Sequence, residues 1–280
     1  MLEISFQSDR EAEAFYRMLG CQPEISLLAS LMPPNQVHIN AGSLTIESAV
    51  IPALIGFITE QMEHMLILSI IENQFFFKDR DEQQQILHIA QSLMEGERSD
   101  IPNIRGFFDR ADCIKEALHP LLKPDLSFSF HSFLTFRLQD YKKRLAQYAE
   151  AAIEEYKLEQ EYQNFIQFLR EYVLSKSSQM DKVHIFYRKR FVICDEYLQE
   201  MPEQTLRSYV DRSLLYHHPM YIDSALLAPL VCIAPKSLFL YTDEPDHGMV
   251  QTIQNIFQER VRICPLGTAD AFQEDSSKLS

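Results

Sequence analysis

The alternation of hydrophobic and polar positions changes along the chain, and its first part is typical of short strands. Residues 2–6, "LEISF", alternate as a strand does, and "SDREAEAFYRMLG" then has the spacing of a helix. Ser8 or Asp9 can cap the N-terminus of that helix, and Gly20 can end it. "EISLLAS" and "QVHINAG" predict two further strands, with a turn at "LMPPN". Residues 1–45 are therefore expected to form a small β-α-β-β unit.

The spacing of hydrophobic residues then becomes helical and predicts a helical domain over residues 46–178. One helix carries the apolar run between residues 49 and 71. A second helix fits "DEQQQILHIAQSLME" and ends at Gly96, and a third fits "IRGFFDRADCIKEALHPLL". Glu60 and Glu63 interrupt the first apolar run, and neither of its halves reaches the roughly 20 apolar residues that span a bilayer. We therefore expect a buried helix and no membrane insertion.

A seam of apolar residues with a period of 3.5 predicts one long helical segment within residues 125–201, a stretch that contains no glycine or proline. Glu155 and Glu159 interrupt this seam. Its first half is Leu134, Leu138, Tyr141, Leu145, Tyr148 and Ala152, and its second half is Tyr162, Ile166, Leu169 and Val173. The interruption favours a helix whose two halves pack within its own chain. A partner-binding coiled coil is the alternative, because its seam would normally stay apolar. The chain is accordingly expected to be a monomer.

The period changes to two near Lys182 and predicts an α/β unit over residues 179–266. "KVHIFY" and "FVICDEY" predict a hairpin, "MPEQTLRSYVDRSLLY" predicts a short helix, and "DSALLAPLVCIAP" fits either a helix or a buried strand. "SLFLYT", "DHGMVQTIQNIFQ" and "RVRICP" predict a β-α-β unit. Residues 267–280 are polar and are expected to be a flexible tail. Together these patterns predict an α+β fold.

Composition narrows the classes of function. The formal net charge is −14, which repels polyphosphate, so nucleic-acid binding is not expected. The five cysteines are scattered and never spaced as CxxC, which is typical of reduced thiols in a cytosol. The N-terminus is charged within its first ten residues and does not resemble a signal peptide. We therefore expect a cytoplasmic protein.

Searches for catalytic motifs find no phosphate loop, dinucleotide fingerprint, nucleophile elbow or HExxH helix. The best candidate site is "TDEPDH", where Asp243, Glu244, Asp246 and His247 lie between a predicted strand and a predicted helix. Open α/β sheets tend to bind ligands at such places, and carboxylates there can hold Mg²⁺. The simpler interpretation is that Asp243 or Asp246 caps the helix. We therefore predict no cofactor and no metal.

Three further sequences have competing interpretations. Arg188, Lys189 and Arg190 form the densest basic run and could contact phosphate or a partner, although a solvated hairpin tip is favoured. "HHP" at residues 217–219 is interpreted as a loop or helix-terminal pair rather than half of a metal site. Phe75–Phe77 are most simply a core plug between helices, whereas an exposed triple phenylalanine would be an interaction surface.

Four segments together resemble a known family. "FFFKDRDEQQQIL", "SFSFHSFLTFRLQDY", "AIEEYKLEQEYQNFIQFLREYV" and "IAPKSLFLYTDEPDHGMVQTIQNIFQERVRICP" are similar to the YtxC-like family, proteins of endospore-forming bacteria that are assigned to sporulation. The resemblance covers residues 48–265 and carries no catalytic signature. It implies a cytoplasmic bacterial protein connected with sporulation.

Three classes of function remain, and the weakest of them is a nucleic-acid contact through Arg188–Arg190. The leading hypothesis is a non-enzymatic factor that acts on an unknown protein partner through helical faces or through the basic hairpin. The alternative is a metal- or phosphate-dependent enzyme with its site at residues 243–247. We lean towards the first class, because the sequence contains no catalytic constellation.

Overall fold

A computed structural model describes residues 1–22, 25–97, 109–211, 214, 223 and 225–268, and it confirms the α+β fold. The chain divides into two compact units, Met1–Lys157 and Leu158–Ser280. The sequence predicted boundaries after residues 45 and 178. In the structure, the N-terminal β-α-β-β elements share one hydrophobic core with the helices that follow them. The division between the units falls inside the long helix.

The first unit contains a four-stranded sheet with the strand order β2-β3-β1-β4. Strand β3 is antiparallel to β1 and β2, and β4 is parallel to β1. The elements are β1 (Leu2–Ser5), α1 (Asp9–Gly20), β2 (Ala29–Met32), β3 (Gln36–Ile39) and β4 (Ser127–Ser129). The predicted order is confirmed, and Ser8 caps α1, because its side chain accepts a hydrogen bond from the Glu11 N–H.

Two details of this sheet differ from the sequence prediction. Strand β2 begins at Ala29 and continues through Leu31 and Met32, which were predicted to be part of the turn. Residues 25–28 instead form turns, in which the Leu28 N–H donates to the Ile25 carbonyl at 2.8 Å. Strand β4 was not predicted, because three residues, Ser-Phe-Ser, are too few to show an alternation.

Five helices complete the first unit or begin in it. They are α2 (Ser43–Asn73), α3 (Arg80–Met94), α4 (Arg110–Leu118), α5 (Phe130–Phe136) and α6 (Gln139–Ser175). Helix α2 joins both apolar runs, and two stretches of wider π-helical turns occur within it. Among the described residues it alone is long and apolar enough to cross a membrane, with a mean hydropathy of 1.4 over 18 residues. Of that window, 44% is buried in the protein.

Both halves of the predicted seam pack into hydrophobic cores. The first half is not all on the long helix, because Leu134 lies on α5 and Leu138 lies between α5 and α6. Leu145 and Ala152 are fully buried in the core of the first unit, and Leu169 is fully buried in the core of the second. Every residue from Lys157 to Glu161 is exposed, and Glu159 accepts a hydrogen bond from Gln163 at 2.7 Å. Each half of the seam is therefore buried within this chain, and the polar middle lies between two separate cores.

The second unit contains a sheet with the strand order β6-β5-β7-β8. The predicted hairpin is β5 with β6, which are antiparallel, and the predicted β-α-β unit is β7-α9-β8, whose strands are parallel. Strand β5 is also parallel to β7. The elements are β5 (Lys182–Tyr187), β6 (Phe191–Cys194), α7 (Glu203–Tyr209), α8 (Leu227–Ile233), β7 (Ser237–Tyr241), α9 (Gly248–Phe257), a 3₁₀ turn (Gln258–Arg260) and β8 (Val261–Cys264). The apolar segment "LAPLVCI" is therefore a buried helix.

Some predictions fall on residues outside the described part of the chain. These are the histidines of "HHP" at residues 217–219, the start of the third predicted helix at residues 104–108, and the tail from residue 269 onwards.

Candidate functional site

The structure places the basic run and the acidic loop at the same edge of the second sheet. Arg188–Arg190 follow β5, and residues 243–247 follow β7. These two strands are parallel neighbours, with Phe186 opposite Tyr241, so both segments leave from the carboxyl ends of the strands. The His247 ring connects them, since its centroid lies 4.5 Å from that of Tyr187. This edge is where α/β sheets most often bind ligands.

Three hydrogen bonds to nearby groups hold the acidic loop. His247 caps α9, because its Nδ1 accepts a hydrogen bond from the Met249 N–H at 3.3 Å. The prediction that Asp243 or Asp246 caps this helix is therefore wrong. Asp243 instead accepts a hydrogen bond from the Leu266 N–H at 3.3 Å. The Glu244 N–H donates to Thr242 Oγ1 at 3.0 Å. These contacts fix the backbone of the loop without bringing its carboxylates together.

The three acidic side chains of this loop are exposed, and His247 is half-buried against Tyr187. Within the described part of the chain, no three side chains of histidine, cysteine, aspartate or glutamate are arranged to hold a metal ion. The loop can offer single carboxylates to a cation in solution, which is what an exposed acidic turn at a helix N-terminus offers in general.

The basic run forms the tip of the β5–β6 hairpin, and its three side chains are exposed. Arg190 lies 3.7 Å from Glu200, an exposed ion pair. Arg190 and Glu200 also line a cavity of about 440 Å³ beside β6. Exposed pairs of this kind contribute up to about 1 kcal/mol. The arrangement fits the interpretation of a solvated hairpin tip that protects the edge strand β6 with charge.

The sequence did not predict a buried polar cluster in the first unit. Glu63 of α2 is 6% exposed, and its Oε1 accepts a hydrogen bond from Arg110 at 2.7 Å. Its Oε2 accepts a hydrogen bond from the hydroxyl of Tyr141, a fully buried residue of α6. Burial, followed by the charge of Glu63, raises the pKa of Tyr141, so the hydroxyl remains a donor. The sequence signal was a carboxylate inside an apolar run.

This cluster connects helices α2, α4 and α6 by hydrogen bonds, and it pairs the buried carboxylate of Glu63 with Arg110. Glu63 sits one residue after a π-helical stretch, a type of irregularity that often redirects side chains. Cys113 lies one turn from Arg110 on α4, and burial, together with Asp140 and Glu116, raises its pKa. The thiol therefore stays protonated and is a poor nucleophile. Neither Tyr141 nor Cys113 has the lowered pKa that is expected of an activated catalytic side chain.

Two cysteines of the second unit lie in the protein interior. Cys194 and Cys232 are buried. Burial, with a smaller contribution from Glu200, raises the pKa of Cys194 to about 11. All five cysteines of the chain are free. Cys194 accordingly behaves as a small core residue rather than as a nucleophile.

The triple phenylalanine combines both of its predicted roles. Phe75 and Phe77 are partly buried against the core of the first unit. Phe76, between them, is 75% exposed and has a φ of 63°. The left-handed region costs an L-residue about 1–2 kcal/mol, and glycine is the residue that occupies it freely. A large aromatic side chain is thus displayed to solvent at a position where glycine would be more stable.

Hydrogen bonds of the next residue, Phe77, hold the turn at Phe76 in place. The Phe77 N–H donates to the Ile71 carbonyl at 3.3 Å and closes the end of α2. Gln83 donates to the Phe77 carbonyl at 2.8 Å. The Phe77 ring packs edge-on against Tyr156, with 6.2 Å between centroids. These contacts order the turn within the chain itself.

Comparison with known proteins extends the resemblance over most of the chain. A model of the YtxC-like family matches residues 48–262. "Uncharacterized protein YtxC" of Bacillus subtilis (strain 168) is 42% identical over 268 residues, which is 95% of this chain and 95% of that protein. No solved structure matches the chain. The similarity therefore runs through both compact units and is not confined to one motif.

Proposed function

We propose that this chain, which belongs to the YtxC-like family, is a sporulation-associated cytoplasmic protein that acts through protein contacts rather than by catalysis. The association with sporulation and the cytoplasmic location come from the family resemblance. The observation that carries the contact hypothesis is Phe76, which is 75% exposed in a left-handed backbone conformation.

Phe76 has an unfavourable backbone conformation, and its side chain gains little burial in return. Its flanking residues contribute to the core, but its own ring lies largely in solvent. A sequence that keeps phenylalanine there forgoes stability that glycine would supply. Local rules are broken in this way mainly where function requires it. Aromatic residues, including phenylalanine, are also enriched in the buried cores of protein interfaces.

The charges around Phe76 describe the partner that would fit it. Lys78, Asp79, Arg80 and Asp81 follow within five residues, and Asp79 is engaged in capping α3. The complementary surface would be an apolar pocket sized for a phenyl ring and rimmed by polar groups of both signs, as in transient interfaces generally.

The test is recovery of the partner from sporulating Bacillus subtilis cells that express tagged versions of the chain. The versions are wild type, Phe76→Gly, Phe76→Ala and the control Tyr197→Ala, since Tyr197 is also 75% exposed. We expect mass spectrometry to find a protein that co-purifies with wild type and the control and is reduced at least tenfold with both Phe76 variants. Because Phe76→Gly should not destabilise the fold, its loss of binding cannot be attributed to unfolding. An identical set of proteins for all four versions would refute the proposal.

A second candidate function is a metal- or phosphate-dependent reaction at the acidic loop. It is favoured by one observation, the meeting of the basic run and the acidic loop at the carboxyl ends of β5 and β7. Calorimetric titration with Mg²⁺ and with inorganic phosphate tests it. Binding in the micromolar range that is lost in Asp243→Asn with Asp246→Asn would establish a ligand site there.

A further inference from the structure

The open edge of the first sheet is a second surface, distant in sequence from Phe76, and it lacks the charges that usually protect such edges. In the part of the chain that the structure describes, the strand order is β2-β3-β1-β4, and β2 is terminal with no strand paired to its outer edge. The fifteen residues 25–39 contain no aspartate, glutamate, lysine or arginine, although such residues make up 24% of the chain. Native proteins commonly place charges, especially lysine, on edge strands to prevent pairing with other chains.

Apolar side chains are exposed along this edge. Leu27 is 94% exposed, Leu28 and Leu31 are each 38% exposed, and Met32 is 43% exposed. Leu31 lies opposite Val37, a fully buried residue of β3, so it extends the core-facing row of the sheet to the open edge. The exposed apolar side chains at this edge therefore form a patch that is continuous with the hydrophobic core and are not isolated surface residues.

The backbone at Leu31 offers a donor and an acceptor away from the sheet. The Asn40 N–H donates to the Leu28 carbonyl at 2.9 Å, and Ser30 and Met32 therefore also direct their polar groups towards β3. The N–H and C=O of Leu31 must point in the opposite direction. The Ala29 N–H is taken by the Ile25 carbonyl at 3.1 Å.

We propose that a second copy of this chain pairs with β2 in antiparallel orientation and joins two four-stranded sheets into one of eight strands. This proposal departs from the monomer expected from the seam of the long helix, because it uses a different surface. Pro33 has no N–H, so Leu31 is the only residue of Ala29–Pro33 that presents both a donor and an acceptor at the open edge. An edge with a single donor is best matched by a strand with the same restriction, which is its own symmetry mate. A twofold axis at Leu31 or at Ser30 uses the donor of each copy once.

The absence of charge on this edge also favours a second copy. A strand with a lysine or glutamate would place an unpaired charge against Leu27, Leu31 or Met32, at a desolvation cost. The second copy brings an equally uncharged strand. Each copy carries a net charge of −14, but charges beyond about 10 Å from the contact are screened at ordinary ionic strength. Self-association should therefore become tighter as salt is raised.

The size of the edge sets the expected strength. A pairing of four residues with four apolar side chains buries less than the roughly 1,200–2,000 Å² of a standard interface. The dimer should therefore be weak, and it should form over a range of about 10–500 µM.

Sedimentation equilibrium of the full chain tests the proposal with a matched pair of double variants. Leu27→Glu with Met32→Glu places two like charges on each edge. Leu44→Glu with Met65→Glu is the control, because these residues of α2 are 84% and 46% exposed. We expect the average mass of wild type and control to rise towards that of a dimer with concentration and with salt, while the edge variant stays monomeric. A wild-type protein that remains monomeric up to about 500 µM, or an edge variant that dimerises as wild type does, would overturn the proposal.

Cross-linking with an oxidant such as diamide provides the second test. In a Cys21→Ser background, Leu31→Cys should form a disulfide-linked dimer if the axis passes through Leu31, and Ser30→Cys if it passes through Ser30, because paired Cα atoms would lie within about 4.5–5.5 Å. Leu44→Cys serves as the exposed control. Dimer formation at residue 30 or 31 well above that of the control supports the pairing, and equal yields at all three positions contradict it.

Discussion

The turn at Phe75–Phe77 and the acidic loop at residues 243–247 are both connections that lead into a helix, yet they treat their side chains in opposite ways. The acidic loop follows local preference, because His247 caps α9 and acidic residues are favoured at a helix N-terminus. The turn breaks local preference, because Phe76 has a φ of 63° and is 75% exposed. Both connections attract attention in the sequence.

The contrast teaches that polar, chemistry-bearing residue types are weaker indicators of function than an unexplained local cost. The residues of the acidic loop can all be understood from the folding of the loop itself. Phe76 cannot: its left-handed backbone closes α2, but glycine would adopt that conformation at a lower cost, and the exposed ring contributes little to the core. The hypothesis that Phe76 contacts a protein partner follows from this difference.

The largest effect is expected at a carboxylate that the fold buries. Glu63→Ala leaves Arg110 and Tyr141 without their shared partner and should lower the free energy of unfolding by about 3–5 kcal/mol. Glu60→Ala, at an exposed position of the same helix, is the control. Asp243→Ala should change stability by less than about 0.5 kcal/mol. Urea unfolding measures all three.

This series decides whether the acidic loop is structurally ordinary. If Asp243→Ala costs as much as Glu63→Ala, the loop carboxylate has an energetic role that its exposure does not reveal. The claim that the acidic loop only follows local preference would then be wrong.

The next effect concerns the backbone of the turn. Phe76→Gly should raise the free energy of unfolding by about 1 kcal/mol, because glycine relieves the left-handed strain and only part of this gain is offset by the greater entropy of the unfolded chain. Gly96 is the matched control, since its φ is 77° and no atom lies within 4 Å of its added Cβ. Gly96→Ala should therefore destabilise by a similar amount. A destabilising Phe76→Gly would mean that the ring supports the fold.

A comparable effect separates the residues of the acidic loop from one another. His247→Ala removes the acceptor of the Met249 N–H and should cost about 0.5–2 kcal/mol. Asp246→Ala, one residue earlier and exposed, should cost less than about 0.5 kcal/mol. Thermal unfolding of the two variants checks the order. The reverse order would restore the aspartate cap that the sequence had favoured.

The smallest expected effect is a dependence of the unfolding free energy on pH that arises from His184. Burial, and then the charge of Lys182, lowers the pKa of His184 on β5, whereas Asp195 opposes this shift. The unfolded chain therefore binds more protons between the folded-state pKa and about 6.5, so stability should fall as pH decreases below about 6.5. His184→Phe should lose this part of the pH dependence. If urea unfolding between pH 7.5 and 5.5 shows the same pH dependence of stability for His184→Phe as for wild type, another group is responsible for that dependence.

The sequence predicted the elements with a long or regular period, and the structure shows why others escaped. The seam through Leu145 and Leu169 was visible because a 3.5-residue period over many turns is unlike any strand. Strand β4 escaped because its pairing with β1 joins residues more than 120 positions apart. The start of β2 was displaced because Leu27 and Leu28 look like strand residues, although the chain turns there.

The candidate sites show the same limit. Glu63, Arg110 and Tyr141 come from three helices, so no local pattern brings them together before the helices pack. The cap of α9 was assigned to an aspartate because aspartate is the commoner cap, and the choice of His247 depends on its packing against Tyr187. The exposure of Phe76 could not be read from three identical residues. Its position in the left-handed region follows from how α2 ends.

The most direct test of the contact hypothesis compares the two connections in one experiment. A photo-reactive phenylalanine analogue is placed at residue 76 or at residue 246, both exposed, and sporulating Bacillus subtilis cells that express each version are irradiated. We predict a discrete cross-linked protein from residue 76 and at least tenfold less of any product from residue 246. Equal yields at the two residues, or a discrete product from residue 246 alone, would contradict the assignment of partner contact to Phe76.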